Sequence, residues 1–431
     1  MHINNLVIRN IRAIEKIAWN INNDNSKGWH VFLGDNGSGK SSVIRSIILA
    51  LIGPSDAQYL QQNWISWVRK ESEFGGSVLS LIRHDSYDDL ENNIKYTKFF
   101  TSSVIESDER NIFKPRARHK SAMFYKSKDA RDDIKNSAPP EQHVWSSNRG
   151  WFSASFGPYR RFTGGDPKYF DAYLQNPKAA PHISAFGEDA ALGGALTWLR
   201  DQARPSRKEG KLIIDLVTSI VNSDAFLPNN TILHEVNNDE ILFKDGAGNI
   251  VEIEQLGDGY RSALCIAIEL IHQLVLAFGI DALTDPKRPN EIIIPGVVLI
   301  DEVDAHLHPT WQQHIGFWLT KRFPEMQFIV TTHSPLICQA ATTVYKLPTP
   351  GTEEKGRFLD DLELSRLRYG NIFEAYASEA FGKIDRSEEG KKKLERLADL
   401  TRFSWERALT EEEQKEQAQL RAIFIDSPIG I

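Results

Sequence analysis

At 431 residues the chain is long enough for two or three domains, and 41% hydrophobic with 10% aromatic residues supports a sizeable packed core. A net charge of −7 excludes a surface basic all over for nucleic acid, though not local basic patches. The two cysteines, Cys265 and Cys338, stand outside any paired ligand motif, which excludes a disulfide framework and suits a reducing cytosol.

The opening "MHINNLVIRNIRAIEKIAW" alternates and lacks the continuous apolar core of a signal peptide, so two strands are predicted between Ile3 and Ile21. After the polar turn "NNDNSKG", "WHVFLG" reads as an apolar strand. It runs into "GDNGSGKS", Gly34 to Ser41, and Val43, Ile44, Ile47, Ile48 and Leu51 then recur at helical spacing. Gly34, four residues, then Gly39, Lys40 and Ser41 is the full phosphate-loop spacing, set between a strand and a helix. The glycines let successive backbone N–H groups turn inward, and the helix N-terminus adds its positive end. Lys40 would reach the β- and γ-phosphates and the Ser41 hydroxyl would hold Mg²⁺. A nucleoside triphosphate site is expected.

Further on, "SVLSLIRHD" and "NNIKYTKFF" read as strands. Between Arg110 and Arg131 eight lysines and arginines face one aspartate. Such a run is either a solvated insertion or a contact for nucleic acid or an acidic partner surface. "WFSASFGPYRRFTGGDP" begins as a strand and ends in a turn, a helical region reaches Pro228, and "ILFKDGAGNIVEIEQL" reads as a hairpin. In "EQLGDGYRSALCIAIEL" a glycine-rich turn, Gly257 to Gly259, opens into a long helix. This is either a cap after the hairpin or a second phosphate cradle. Since the Gly34 loop already serves the chain's own nucleotide, a second cradle would face another molecule's. The apolar run "ALCIAIELIHQLVLAFGIDAL" is interrupted by Glu269, His272 and Gln273, so a buried helix is expected and no membrane span. A soluble, cytoplasmic protein is expected.

"EIIIPGVVLIDE" reads as a buried strand ending in two acids. Asp301 there can orient the water shell of Mg²⁺, and Glu302 can polarise an attacking water. Pro309 in "VDAHLHPTWQ" looks like a first helical turn. "QFIVTTHS" returns to a strand and leaves His333 just past its end, where a histidine can sense the γ-phosphate and hold the attacking water. His306, His308 and His314 do not require a zinc site, because two of them belong to a motif with another explanation. "TTVYKLP" adds a strand, and beyond about residue 352 the chain is charged and helical. Apolar residues there, Phe373, Tyr376, Phe381, Leu394 and Leu397, suit either the chain's own core or a partner surface.

The ordered set "GDNGSGKS", "LGDGYRS", "VVLIDEVDAHLHP" and "TTHSP" resembles the ATPase head of the ABC class, in its soluble RecF/SMC-like and OLD-like branch. The resemblance covers roughly residues 1–60 and 150–345. The build without a coiled coil and the string "SFGPYRRF" look like the Septu- or PARIS-type defence ATPases, which act with a partner nuclease. Gly34 to Ser42, including Asn36, Gly37, Ser38, Gly39, Lys40, Ser41 and Ser42, would then be the Walker A loop. Asp301 would be the Walker B aspartate, Glu302 the catalytic glutamate and His333 the switch histidine. Leu256 to Arg261, with Gly257, Asp258 and Gly259, would be the signature motif acting in trans, and Asp304 would belong to the D-loop at a dimer interface. Arg12 falls where the family often places a basic residue near the nucleotide. Two departures stand out: Gly257 replaces the usual signature serine, and no glutamine occupies a Q-loop context. The segment around Gly157 to Arg161 would be the substitute, with Arg160 or Arg161 near the nucleotide, or else in surface pairing or a partner contact.

The expected architecture is α/β: an ABC-type ATPase head with a P-loop sheet, a helical signature-motif lobe, insertions and a C-terminal helical extension. Its parts are 1–105 with Walker A, a basic insertion at 106–150, the rest of the lobe at 151–255, the remaining motifs at 256–350, and a helical region at 351–431. The expected function is an ATP- and Mg²⁺-dependent ATPase that forms a homodimer, alone or within a higher oligomer built from dimers, and controls an effector nuclease. The competing readings are a RecF-type repair ATPase touching DNA through residues 110–131, a transporter subunit and a nucleotide-holding scaffold.

Overall fold

Alternation sets the first hairpin. In β2 (Ile14–Asn20) Ile14, Ile17 and Trp19 are buried while Glu15, Lys16, Ala18 and Asn20 face outward. It pairs antiparallel with β1 (His2–Ile11), Ile8 opposite Ile17 and Leu6 opposite Trp19. These coordinates, a computed structural model, describe residues 1–60, 64–90, 97–106, 136–146, 150–160, 176, 178–187, 193–227, 229–370 and 388–424. The basic segment 110–131, Arg161, Phe373, Tyr376 and Phe381 lie outside the described residues.

In chain order there come β3 (Gly28–Leu33), α1 (Lys40–Ala57), β4 (Phe74–Ile82), β5 (Phe99–Glu106), β6 (Ser153–Phe156), α2 (Gly193–Gln202) and α3 (Gly210–Val221). Next are β7 (Ile232–Val236), β8 (Ile241–Lys244), β9 (Ile250–Glu252), α4 (Asp258–Phe278), α5 (Ile280–Leu283) and β10 (Gly296–Ile300). The chain continues with α6 (Pro309–Arg322), β11 (Met326–Thr332), α7 (Pro335–Cys338), β12 (Thr343–Lys346), β13 (Arg357–Phe358), α8 (Asp361–Tyr369), α9 (Glu388–Glu406) and α10 (Glu411–Ile423). It divides into two compact units, Met1–Ile372 and Phe373–Ile431.

The first unit is a mixed α/β structure with three sheets. The central one has the order β13-β12-β3-β11-β10-β6, parallel throughout except for β13. Residues in β10 and β11 are buried along their whole length, as strands covered on both faces must be. The second sheet, β2-β1-β4-β5, and the third, β7-β8-β9, are antiparallel. α4, the one described helix long and apolar enough to cross a membrane, has 72% of that stretch buried inside the fold and serves as a core helix.

Two strands differ from their expected extents. β10 starts only at Gly296, because Pro295 has no N–H to give to a ladder. The strand expected over 92–100 lies in part outside the described residues, which resume at 97; a strand runs on from Phe99 to Glu106, where Thr101 and Ser103 are buried and break the apolar alternation. Hydroxyls on this sheet have partners on α1. Pro54 deprives the Ala50 carbonyl of its helical donor, and Gly53 lies at φ +80°, so the helix kinks there. Thr101 Oγ1 (2.5 Å) and Trp145 Nε1 (2.9 Å) donate to the Ala50 carbonyl instead. Ser77 Oγ, which also meets Ser103 Oγ, donates to Ser46 O at 2.7 Å.

In the second unit Leu397, Leu400 and Leu420 form a small core with Leu394 and Phe424 packed against it, so Leu394 and Leu397 are used inside the α9–α10 pair. α10 starts with a capping box, Thr410 with Glu413.

Replacing Thr101 by valine keeps shape but halves the donors on the Ala50 carbonyl. We expect a loss of about 1 kcal/mol in urea unfolding. An unchanged midpoint would show that Trp145 alone satisfies the kink.

Candidate functional site

Four parallel strands end along one edge. Leu33 of β3 is opposite Thr332 of β11, and Ile300 of β10 is opposite both Val330 of β11 and Phe156 of β6. The carboxyl ends therefore deliver Gly34, His333, Asp301 and Gly157 to the same side, the side on which open parallel sheets bind ligands. β11 separates β3 from β10, so the loop after β3 and the acids after β10 stand two strand spacings apart, about 10 Å.

The phosphate loop is held open from beneath. Lys40, buried at the start of α1, donates to the carbonyls of Gly34 (2.9 Å) and Asp35 (3.1 Å), which extends its side chain back along the loop. Gly37 and Gly39 have φ of +83° and +96°, the left-handed region that favours glycine. A Cβ on Gly39 would lie 2.8 Å from Ile14 Cγ1, and one on Gly34 would lie 2.5 Å from Ser38 Oγ. Asp35, Asn36 and Gly37 are exposed, Ser38 and Ser42 are buried, and Ser41 is half-buried at the helix start. Ser38 Oγ has no hydrogen-bond partner although it is buried.

Contact with Ile14 and Ala13 brings the β1–β2 turn onto Gly39. That turn carries Arg12, itself left-handed at φ +49°, whose guanidinium stacks 4.3 Å above the Trp67 ring. Partial burial, with the Arg45 cation as a smaller cause, pulls Arg12 below the usual arginine range.

Two consecutive threonines organise the acids. Thr331 Oγ1 donates to Asp301 Oδ1 at 2.6 Å and accepts from the Glu302 N–H at 2.8 Å. Thr332 Oγ1 donates to Asp304 Oδ1 at 2.5 Å and accepts from the Ser334 N–H. Asp304 Oδ2 meets His333 Nδ1 at 3.1 Å, the carboxylate 3% exposed and the imidazole 64%. Asp304 thus anchors His333 by one ring nitrogen and leaves the other edge toward solvent. Glu302 sits half-buried at φ +46°, a strained conformation for a non-glycine residue that tends to mark functional positions.

The Oδ2 of Asp301 is buried without a hydrogen-bond partner. A buried carboxylate oxygen left in that state fits a cation or its water shell, so Asp301 and the Ser41 hydroxyl suit Mg²⁺ bound with a nucleotide. Such an ion would neutralise phosphate charge between β3 and β10. Among the described residues no group of three or more His, Cys, Asp or Glu gathers as a metal cluster.

Arg160 is not at the nucleotide edge. It is 4% exposed, and its N–H groups point to the carbonyls of Gly157, Asp301, Glu302, Val303 and Ala305 and to Ser262 Oγ, at 2.9 to 3.3 Å. A guanidinium has five N–H groups, and here they are all engaged, so none remains for a phosphate. None of the readings taken from the sequence, nucleotide contact, surface pairing or partner contact, describes a residue this buried whose N–H groups are all bonded within the chain. Gly157 is needed for close approach, since a Cβ there would meet Ser184 O at 1.9 Å.

At the far motif, Gly257 and Asp258 are exposed at the start of α4, a 21-residue helix whose N-cap, Gly257, has no side chain to cap it. Asp258 pairs with Arg261 one turn on. Gly259 faces the chain's own His306 carbonyl, 3.1 Å from where its Cβ would stand.

Residues 30–339 match the family described as "AAA domain, putative AbiEii toxin, Type IV TA system". The chain belongs to this family. A probable ATPase of retron Ec83 from Escherichia coli is 38% identical over 116 residues, 26% of this chain and 20% of that protein. The Septu protein PtuA of Bacillus mycoides is 24% identical over 336 residues, 78% of this chain and 38% of that protein. RecF, a DNA replication and repair protein of Listeria welshimeri, is 28% identical over 79 residues, 18% of this chain and 20% of that one. The matches thus span well under half of the curated relatives' own length. Among solved structures, an Smc head domain from Pyrococcus furiosus bound to the C-terminal domain of ScpA aligns at TM-score 0.48 and 15% identity, covering 85% of this chain and 98% of that one.

Sequence reasoning missed the work of Thr331, Thr332 and Gln312. The signal was present, since two hydroxyl residues closing an apolar strand must find partners. Gln312 donates to Leu307 O at 2.9 Å and accepts from Ser334 Oγ at 2.7 Å, which ties α6 to the loop after β11.

Gly39→Ala combines left-handed strain with the Ile14 contact, whereas Gly351→Ala, at φ +80° with nothing within 4 Å, carries strain alone. Strain alone costs on the order of 1 kcal/mol. We expect Gly39→Ala to cost about 1 kcal/mol more than Gly351→Ala in thermal unfolding and to weaken ATP binding. Equal losses would show that the loop yields freely to a side chain.

Proposed function

We propose that the chain binds and hydrolyses ATP with Mg²⁺, and that a two-fold homodimer encloses two ATP molecules. In this reading Lys40 and the amides of Gly34 to Ser42 hold the phosphates, Arg12 lies beside them, and Ser41 and Asp301 hold the metal. Glu302 accepts the proton of the attacking water and His333, steadied by Asp304, senses the γ-phosphate. The observation that carries the proposal is the shared carboxyl edge, where β3, β10 and β11 end in Gly34, Asp301 and His333.

The exposed turn at Gly257, Asp258 and Gly259 supports a site completed in trans. It is a helix N-terminus open to solvent, where a second subunit's phosphate would find free amides. A two-fold axis then pairs each loop with the other chain's turn, giving two equivalent sites. ATP would bridge the subunits and hydrolysis would weaken the bridge. Gly257 offers no hydroxyl, so contacts outside the site carry part of the dimer's stability.

We further propose that this ATPase gates an effector nuclease in bacterial antiphage defence, in the cytoplasm. The similarity to a Septu protein and to retron ATPases supports the setting. A RecF-type role in DNA repair is favoured only by the short RecF match. DNA affinity that falls steeply with salt, together with turnover raised by DNA alone, would establish it over the effector reading.

Three variants test the ATPase. Lys40→Ala should abolish nucleotide binding. Glu302→Gln should keep binding and lower turnover by about 10²–10⁴-fold, because an amide is no base. Unchanged turnover in Glu302→Gln removes Glu302 from the reaction. For the trans site, Gly257→Asp is better than a change at Gly259, because a Cβ at 257 has nothing nearer than Tyr260 Cδ2 at 3.9 Å. Lys40→Ala and Gly257→Asp should each be inactive alone and recover part of the activity when mixed, since one composite site stays intact. No recovery in verified mixed dimers would sink the trans arrangement.

A further inference from the structure

We propose that Arg160 is a positioning residue that makes the Asp301–Ala305 segment and the start of α4 a single mechanical body, so that whatever docks on the Gly257–Gly259 turn sets the backbone of Glu302. This rests on Glu302 being the residue that acts on water.

The left-handed turn at Glu302 reverses the chain and points successive carbonyls inward. Four of the carbonyls between Asp301 and Ala305 converge on one guanidinium, and the fifth carbonyl it meets, that of Gly157, lies in the loop after β6. Buried carbonyls require donors, and nothing but a planar fork serves so many at once. The remaining N–H, on Nε, donates to Ser262 Oγ at 3.2 Å, which lies in the first turns of α4, five residues after Gly257. A second contact runs parallel to it, since Gly259 lies against the His306 carbonyl. The Gly257–Gly259 turn and the acids are therefore linked through an arginine whose N–H groups are all taken up by the chain itself. Neighbouring Asp304, Asp301 and Glu302 offset the burial that pulls this guanidinium below the usual arginine range. The coupling has a definite sign: a phosphate drawn onto the turn from outside would stiffen α4 and, through Ser262 and Arg160, hold Glu302 in its strained, working conformation.

Arg160→Lys keeps the charge and loses the fork. In the full chain we expect turnover to fall on the order of 10–100-fold while the dissociation constant for ATP stays unchanged, a split that general loosening of the fold would not produce. Hydrogen–deuterium exchange without nucleotide should quicken together in 301–306 and 258–263, with 40–52 unaffected. Ser262→Ala, which cuts only the link to α4, should quicken exchange in 258–263 and lower turnover several-fold, and it decides the matter if Arg160→Lys is insoluble. Parental turnover in either soluble variant, or exchange rising in only one of the two segments of Arg160→Lys, overturns the coupling. If Glu302→Gln proves as active as the parent, the catalytic reading fails instead, and the exchange pattern still tests the mechanical link.

Discussion

The register of β11 between β3 and β10 controls where every charged group of the site stands. Because the pairings are parallel, three strands of different sequence origin finish at one level, and the loops leaving them emerge at one edge. A one-residue slip of β11 would exchange Thr331 with Thr332 and carry both acids' partners to the wrong faces. Burial along the whole of β10 and β11 resists this, since the polar residues of β11, Gln327, Thr331 and Thr332, would each lose a hydrogen-bond partner on slipping. Core packing and site geometry are thus one problem here.

Satisfying buried polar groups explains the rest of the edge. The segment after β10 is buried but belongs to no helix or strand, so its amides and carbonyls need individual partners. Amides find β6 and β11: Asp301 N–H donates to Phe156 O, Val303 N–H to Thr331 O and Glu302 N–H to the Thr331 hydroxyl. Carbonyls find Arg160. Of the polar atoms there, Asp301 Oδ2 stays orphaned among the described residues.

The strands and motifs with local signatures are legible in the sequence. β10 is a continuous apolar run, β3 and β11 are mostly apolar with His30, Gln327, Thr331 and Thr332 among them, the loop at Gly34 has its own spacing, and α4 starts from a glycine turn. The alternation does not carry β5 past Phe100, because Thr101 and Ser103, hydroxyl residues that a pattern reads as outward, are turned inward to partners on α1 and β4. It overlooks β7 because a single residue, Leu233, is buried along that strand. The order of the central sheet is not readable, because parallel neighbours come from distant parts of the chain. Within the site, Asp301, Glu302, His333 and the Gly34 loop are brought to one edge, while their catalytic roles rest on the ATPase reading. Arg160 is the reverse case. The string "GPYRRF" reveals an arginine but not the five carbonyls around it, which are assembled from chain positions 157 and 301–305 only on folding.

That difference has a physical cause that reaches beyond Arg160. A phosphate loop is a local device, in which glycine φ values and a helix N-terminus do most of the work within about eight residues. The conformation of Glu302 is not local. Glu302 at φ +46° would relax on its own by of order 1–3 kcal/mol, so its conformation has to be imposed from outside. The Glu302 carbonyl accepts a local bond from the Ala305 N–H, and the groups that act from outside are Thr331 at its amide and Arg160 at the same carbonyl, one on a neighbouring strand and one on a loop 142 residues earlier. Strain of this kind is stable only where the surroundings over-determine it. The same two residues that hold Glu302 also reach Asp301 on one side and α4 on the other. An acid so constrained cannot change its backbone without disturbing β11, Asp301 or the start of α4, because the groups that hold it are hydrogen-bonded to all three.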